Sequence, residues 1–214
     1  MTTDAATAKR ISRRWPLVSS GAALVLVAGL AFLVSVRGTT NDLDTDWMEE
    51  VLEHRSPLWT APSLVMNFIG AGWFAFALPA AIALIFVLRR RLWTALYVVL
   101  SSAVSAGVVQ LLKVIVGRHR PDFELVQIDS GSFPSGHSAN AATLAVVVFV
   151  IFPKVWVFVV GLLYTLAMMV SRTYLGVHWL TDTIGGLLLG AAVAIMIWAP
   201  FAYRLQRERH RKTQ

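Results

Sequence analysis

Long apolar segments separated by short polar ones dominate this chain of 214 residues. A helix of about 20 apolar residues is long enough to cross the hydrocarbon core of a bilayer. Charged residues make up 14% of the chain, whereas soluble domains carry about 25%. The sequence therefore predicts an all-α polytopic membrane protein, a bundle of six transmembrane helices. Its expected spans are residues 17–36, 63–88, 92–116, 137–152, 155–170 and 179–199.

The polar ends of the chain set the expected domain limits. Residues 1–16 form a basic N-terminal segment, residues 17–200 the six-span domain and residues 201–214 a basic tail. Of the 19 Lys and Arg residues, 13 lie in the two terminal segments, in the 89–91 turn and at Lys154. Because Lys and Arg accumulate on the cytoplasmic side of membrane proteins, we expect both termini in the cytoplasm.

The net charge is +7. This topology and the attraction of Lys and Arg to anionic lipid headgroups are enough to explain the basic tail. No basic domain with interleaved aromatic residues occurs in the sequence, so nucleic acid is not an expected partner. The chain contains no cysteine, which excludes disulfide bonds and thiolate catalysis within it. The bilayer and its lipids are the expected partners.

The acidic segment 37–62 has a pattern of its own. Trp47, Met48, Val51 and Leu52 recur at helical spacing, which predicts a short helix in the membrane interface. The pattern leaves open whether this helix contacts a substrate or only covers the bundle; we favour the structural role.

Three polar clusters are expected on the membrane face opposite the termini. They are Lys113 with Arg120, the tripeptide Ser135-Gly136-His137, and the segment 171–182. Ionisable groups are costly at membrane depth, so they are functional candidates by default. Taken singly, Lys113 is explained as a residue that extends to the interface, and Ser135 as a helix N-cap. Their common depth in a bundle favours one shared site.

His178 and Asp182 are four residues apart within the third cluster. On a helix that begins near His178 they share one face, and the carboxylate can accept a hydrogen bond from the imidazole. Such a bond orients the ring and makes its other nitrogen more basic. The ring then suits a nucleophile, a general base or a metal ligand. The pair alone is equally well explained as a helix cap that fixes a loop.

The cations near this pair point to phosphoryl transfer. Lys113, Arg120 and Arg172 would place three positive charges around one point, and an arginine fork matches phosphate geometry. The hydroxyl of Ser135 and the backbone N–H groups that begin with Gly136 add donors at the positive end of a helix. This set suits the charge on the phosphoryl oxygens of a transition state.

Two histidines supply the remaining chemistry. We expect His178, oriented by Asp182, to attack phosphorus and His137 to protonate the leaving oxygen. Water would then hydrolyse the phosphohistidine, with His137 acting as base. No carboxylate cluster or Cys/His spacing in the sequence indicates a metal or another cofactor. A three-histidine zinc site that includes His119 is disfavoured by the cationic surroundings.

The three clusters together resemble the signature of the type 2 phosphatidic acid phosphatase superfamily. Order, internal spacing and position relative to the apolar segments match over about residues 92–200, with no departure in the signature positions. The matching segments are Lys113-x6-Arg120-Pro121, Pro134-Ser135-Gly136-His137 and Ser171-Arg172-x5-His178-x3-Asp182.

The resemblance implies the same roles for these residues. It implies that His178 is the nucleophile, Asp182 its partner and His137 the acid, without a metal, at the outer leaflet. The residues implied to surround the phosphate are Lys113, Arg120, Ser135, Gly136, His137 and Arg172. The superfamily includes soluble vanadium haloperoxidases, and six spans argue against that branch.

The resemblance also implies a bacterial enzyme of the plasma membrane that acts on a lipid phosphate. Phosphatidate, phosphatidylglycerophosphate and undecaprenyl diphosphate are the implied substrates, and the outward orientation favours the last. Two alternatives remain open at this point. One is a phosphatase or phosphotransferase for small soluble phosphate esters, and the other is a non-catalytic lipid-binding or transport protein with this fold.

Overall fold

Eight helices make up most of the part of the chain that the structure describes. A computed structural model of the protein describes residues 2–37, 41–70, 72–128 and 130–210. These ranges contain no β-strand, so the predicted all-α class is confirmed for them. The helices are α1 (Thr2–Arg37), α2 (Asp42–Glu53), α3 (Pro57–Gly70), α4 (Gly72–Leu88), α5 (Leu92–Val116), α6 (Gly136–Ile151), α7 (Val155–Tyr174) and α8 (Leu180–His210).

The described helices provide four or five candidate membrane spans. α1, α5, α7 and α8 are each long and apolar enough to cross a bilayer. α3 and α4 count as a fifth crossing if the pair is one span. α6 has 16 residues, which is about 24 Å of helix at 1.5 Å per residue, against a hydrocarbon core of roughly 30 Å. The predicted count of six spans is therefore not confirmed.

The expected second span, residues 63–88, is not one straight helix. The axes of α3 and α4 differ by 56°. Gly70 ends α3 where a Cβ would lie 2.6 Å from His137 Cδ2 and 2.8 Å from Met168 Cε. A side chain at residue 70 would require His137 and Met168 to shift, so the end of α3 packs directly against α6 and α7. Hydropathy predicts the length of such a segment but not this bend.

The short helix predicted in the acidic segment is confirmed as α2. Met48 is buried, with 2% of its surface exposed. Val51 packs against Leu175 and Val177, which belong to a small apolar cluster just before α8. The apolar face of α2 thus covers one end of the bundle beside α7 and α8.

α6 and α8 approach each other most closely through glycines. A Cβ on Gly186 would lie 2.4 Å from the carbonyl oxygen of Ser135, and one on Gly190 would lie 2.1 Å from that of Ala139. Residues four apart share one helix face, and small residues there allow helix backbones to approach in a membrane. The Ser135 N–H also donates to the carbonyl oxygen of Asp182 at 2.9 Å. The starts of α6 and α8 are therefore held together.

The opposite end of the bundle holds the short turns and the end of α8. Arg209 Nη2 donates to the carbonyl oxygen of Val150 at 2.7 Å. The Glu208 carboxylate accepts from the backbone N–H groups of Trp93 at 2.8 Å and Thr94 at 3.0 Å. These contacts bring the 89–91 turn, the end of α6 and the basic end of α8 together.

Helices continue past the domain limits expected at residues 17 and 200. α1 begins at Thr2 and α8 continues to His210. The first part of the expected basic tail is therefore an extension of the last span, and no change of secondary structure marks either limit.

The close contact between α6 and α8 leads to a stability prediction. We expect Gly190→Ala to lower the free energy of unfolding by about 1–3 kcal/mol, because the added methyl group overpacks the interface. Gly107→Ala on α5 is the matched control, since a Cβ there would meet nothing within 4 Å. Thermal unfolding of both variants in detergent tests this, and equal melting temperatures would contradict it.

Candidate active site

Two glycines direct the loops that carry the site. Gly117, with φ 58°, ends α5 in a left-handed conformation, and its N–H donates to the carbonyl oxygen of Lys113. Such a cap is typical of a helix end and here starts the loop of residues 118–135. Gly176, with φ 69°, turns the chain after α7, and a Cβ there would lie 2.3 Å from the carbonyl oxygen of Phe123. The two loops therefore pack directly against each other.

The histidine–carboxylate pair forms at the start of α8 rather than along it. His178 precedes α8, which begins at Leu180, so the expectation of a shared helical face is wrong in that detail. His178 Nδ1 lies 3.5 Å from Asp182 Oδ2. The same oxygen accepts from the N–H of Trp179 at 2.9 Å, as the acidic residue of a capping box does. The capping interaction places the carboxylate behind the imidazole.

His178 is almost fully enclosed, with 2% of its surface exposed. Burial lowers the pKa of His178 to about 3, although the Asp182 carboxylate opposes this shift and Arg120 and Lys113 add to it. The ring is therefore neutral at physiological pH. Arg120 Nη1 lies 3.5 Å from His178 Nε2, so the nitrogen that faces away from the carboxylate faces a cation.

Lys113 and Arg120 converge on the loop that precedes α6. Lys113 Nζ donates to the carbonyl oxygen of Gly131, and Arg120 Nη2 donates to the same oxygen at 3.3 Å. Arg120 also donates through Nε to the carbonyl oxygen of Ser130 at 2.8 Å and through Nη1 to that of Val177. Burial lowers the pKa of the Arg120 guanidinium. The structure thus brings these two predicted cations together beside His178.

Arg172 and His137 carry buried nitrogen atoms that no described residue hydrogen-bonds. Arg172 has 0% exposure, and its Nη1 donates to Asn67 Oδ1 at 2.6 Å. Among the described residues, Arg172 Nε, Arg172 Nη2 and His137 Nε2 have no hydrogen-bond partner. A backbone hydrogen bond joins His137 to Asn67. Buried donors without partners are costly, and a cluster of them is typical of a site for an anion.

Ser135 and Gly136 form the start of α6. The Ser135 hydroxyl oxygen accepts from the Ser138 N–H at 3.4 Å and from the Ser138 hydroxyl at 3.1 Å. This is the N-cap arrangement, the simpler of the two interpretations of this residue. A Cβ on Gly136 would meet only Val109 Cγ1, at 3.5 Å, so packing alone does not demand a glycine there. The positive end of the α6 dipole lies at the site.

Four residues around the site were missed by sequence reasoning. Ser132 donates its hydroxyl to Asp182 Oδ2, and Asn67 contacts both Arg172 and His137 as described above. Arg118 and Asp44 are buried and lie in a chain of ion pairs that leads to Asp182. The sequence did contain a signal that could have identified Arg118, because it is a second arginine within the Lys113-x6-Arg120 motif. Nothing in the sequence distinguished Asp44 from the other acidic residues of the segment 37–62.

The described residues place no group of metal ligands at this site. Within the described ranges, the one group of three possible ligands is Glu50, Glu53 and His54, exposed at the C-terminal end of α2, with ligand atoms within 4.8 Å of one another. His119 is exposed, and its carbonyl oxygen accepts from Trp179 Nε1 at 3.0 Å. The three-histidine alternative is thus not assembled among the described residues.

Comparison with known proteins identifies the family. The family model of the PAP2 superfamily matches residues 92–206. Phosphatidylglycerophosphatase B of Bacillus subtilis is 31% identical over 163 residues, which cover 71% of this chain and 74% of the relative. Undecaprenyl-diphosphatase of Sulfolobus acidocaldarius is 29% identical over 53% of this chain and 58% of its own length. This chain superposes on the crystal structure of a transmembrane PAP2-type phosphatidylglycerolphosphate phosphatase from Bacillus subtilis with a TM-score of 0.74 and 26% identity. The superposition covers 84% of this chain and 94% of the other. The chain therefore belongs to the PAP2 superfamily.

Proposed function

We propose that this protein is an integral-membrane phosphatase that hydrolyses a phosphate monoester or diphosphate of a membrane lipid. The observation that carries the proposal is the pairing of an oriented imidazole with an anion site. His178 has Asp182 behind one nitrogen and Arg120 near the other, while Arg172 keeps two buried donors without a described partner. A binding protein needs the donors but not an oriented nucleophile, which favours an enzyme.

The proposed reaction has two steps. His178 Nε2 attacks phosphorus, the bond between phosphorus and the leaving oxygen breaks, and His137 gives that oxygen a proton. Water then attacks phosphorus in the phosphohistidine while His137 takes a proton from it, the bond between phosphorus and His178 Nε2 breaks, and inorganic phosphate leaves. Asp182 stabilises the positive charge on the ring in the intermediate. Lys113, Arg120 and Arg172 balance the charge on the phosphoryl oxygens.

A cavity beside the site favours a lipid over a soluble ester. It has a volume of about 370 Å³, lies between α4, α5 and α6, and is lined mainly by apolar and small side chains. Gly136, at the start of α6, is part of its wall. An amphiphile can place its phosphate at the histidines and its first apolar carbons in this cavity. The two relatives compared above are named for action on lipid phosphates, which supports the same class of substrate here.

Six spans and an outward-facing site complete the proposal. α6 would be a short sixth span, with its N-terminus at the active site and its C-terminus beside Arg209. The basic end of α8 and the 89–91 turn would face the cytoplasm, as the distribution of Lys and Arg favours. Phosphatidate, phosphatidylglycerophosphate and undecaprenyl diphosphate remain the candidates, in a bacterial plasma membrane.

The cations of the site also lead us to propose metal-independent catalysis. Lys113, Arg120 and Arg172 supply the positive charge that a divalent cation gives to phosphoryl transfer in other enzymes. Their charges repel such a cation, and Asp182, the carboxylate nearest to His178, is already bound by Arg118 and Ser132.

Phosphate release tests the proposal directly. We expect purified protein in detergent with excess chelator to release phosphate from at least one of undecaprenyl diphosphate, phosphatidate and phosphatidylglycerophosphate, and to act less on a short soluble ester. His178→Ala should lose about 10⁴-fold or more of this activity. His54→Ala, at an exposed histidine directly after α2, is the control. Activity that needs a metal, or that survives in His178→Ala, would contradict the mechanism.

Arg172→Lys separates a fork of donors from a simple positive charge. A lysine ammonium is a compact charge without the planar fork, so it cannot bind Asn67 and also place donors at the positions of Arg172 Nε and Nη2. We therefore expect kcat to fall by about 10²–10³-fold, the usual effect of removing a donor to a developing oxyanion. Arg207→Lys, at an exposed position on α8, is the matched control. Wild-type kcat in Arg172→Lys would remove this residue from the phosphate site.

The low pKa of His178 makes a prediction about pH. The charged groups that act on the ring are Asp182, Arg120, Lys113 and His137. The histidine nucleophile must be neutral, so the fall of kcat/KM that reports protonation of His178 should lie well below pH 6.5, the ordinary pKa of a histidine. Any fall that comes from protonation of the substrate phosphate is separate from this one. Because Asp182 raises this pKa, Asp182→Asn should move the limb to lower pH as well as reduce the rate. An acid limb near pH 6.5 that does not move would contradict this assignment.

A further inference from the structure

A chain of buried charges connects α2 to the carboxylate behind His178. Arg118 Nη1 lies 2.6 Å from Asp182 Oδ1, and Arg118 Nη2 lies 2.7 Å from Asp44 Oδ2. All three side chains are nearly inaccessible, at 2% for Arg118 and 0% for both carboxylates. One planar guanidinium therefore bridges two carboxylates that come from different helices, a geometry that a lysine does not provide.

Asp44 holds α8 by a second route. Its Oδ1 accepts from the backbone N–H of Thr181 at 2.8 Å, and its Oδ2 accepts from the Thr181 hydroxyl at 2.7 Å. Arg118 Nη1 also donates to the Thr181 hydroxyl oxygen, at 2.8 Å. A carboxylate at a helix N-terminus is stabilised by the helix dipole. Asp44 thus binds the first turn of α8, the turn that carries Asp182.

The contacts of Asp182 divide between its two oxygens. Oδ2 faces His178 Nδ1 and also accepts from Ser132 and from the Trp179 N–H. Oδ1 is bound by Arg118. Without Arg118, Oδ1 would lose its ion pair, and only the contacts of Oδ2 with Ser132 and the Trp179 N–H would hold the carboxylate toward the imidazole.

We propose that Arg118 and Asp44 are positioning residues that hold Asp182 toward His178, so that α2 is part of the catalytic framework and not only a cover. The proposal rests on the function proposed above. The two carboxylates and one guanidinium carry one net negative charge beside the imidazole. That charge complements the positive ring formed when His178 is phosphorylated, whereas Arg118 and Asp182 alone would be neutral.

A double-mutant cycle tests the proposal by activity. We expect Arg118→Gln to lower kcat by about 10- to 100-fold, as for other residues that orient a reactive ligand, with little change in KM because Arg118 does not contact the phosphate. In an Asp182→Asn background the same substitution should cost about 2-fold or less, since residues that act through one another are not additive. A purely structural role would give the same factor in both backgrounds.

Asp44→Asn provides a second variant that keeps the shape of the side chain. It should lower kcat by a smaller factor than Arg118→Gln and be equally non-additive with Asp182→Asn; if Arg118→Gln does not fold, this variant carries the cycle. Asp46→Asn is the matched control, because Asp46 lies exposed on the same helix. We expect it to leave kcat unchanged.

The tautomer of His178 gives a readout that does not need turnover. In protein labelled with ¹⁵N-histidine, with the His178 signals assigned through His178→Gln, we expect the proton on Nδ1 in the wild type and a gain of the Nε2–H form in Arg118→Gln and Asp44→Asn. Losses that multiply across the two backgrounds would overturn the proposal. If wild-type protein releases no phosphate from any lipid, the proposed function fails. The tautomer then decides on the positioning role, and an unchanged tautomer in both variants overturns it.

Discussion

The Asp182 carboxylate is the point on which the site depends. Its side chain lies behind His178 and binds Ser132, Trp179 and Arg118. Its backbone carbonyl oxygen accepts from the N–H of Ser135, so the first turn of α8 also holds the start of α6. One residue therefore connects the loop before α6, the turn before α8 and the end of α5. Because a buried carboxylate is stable only with such partners, the loops must adopt this arrangement together.

The close contact of α6 with α8 lets this arrangement form. Gly186 and Gly190 allow the α6 backbone to lie against α8, and this brings His137 to the same end of the bundle as His178. With side chains at the two glycines, the helices would separate, and the hydrogen bond from Ser135 to Asp182 could not keep its length of 2.9 Å. The geometry of the polar site thus depends on apolar packing deeper in the bundle.

Sequence reasoning predicted that the polar residues share one end of the bundle but not which of them touch. Apolar segments predict where a chain enters and leaves a membrane, so hydropathy alone predicts that Lys113, Arg120, His137 and His178 share one face. Which residues touch one another across that face depends on helix packing, which hydropathy does not encode. Asn67 was hidden for this reason, since residues 63–88 were predicted as one span, and the 56° angle between α3 and α4 was not predicted.

The buried charges of the site fall into two groups that differ in how they are paired. Asp44, Arg118 and Asp182 pair with one another, at distances of 2.6 and 2.7 Å. Arg172, in contrast, has 0% exposure and two donors that no described residue accepts. A fold gains nothing in stability from leaving such donors unpaired. The paired group therefore suits a fixed framework, and the unpaired donors suit a ligand that brings its own negative charge.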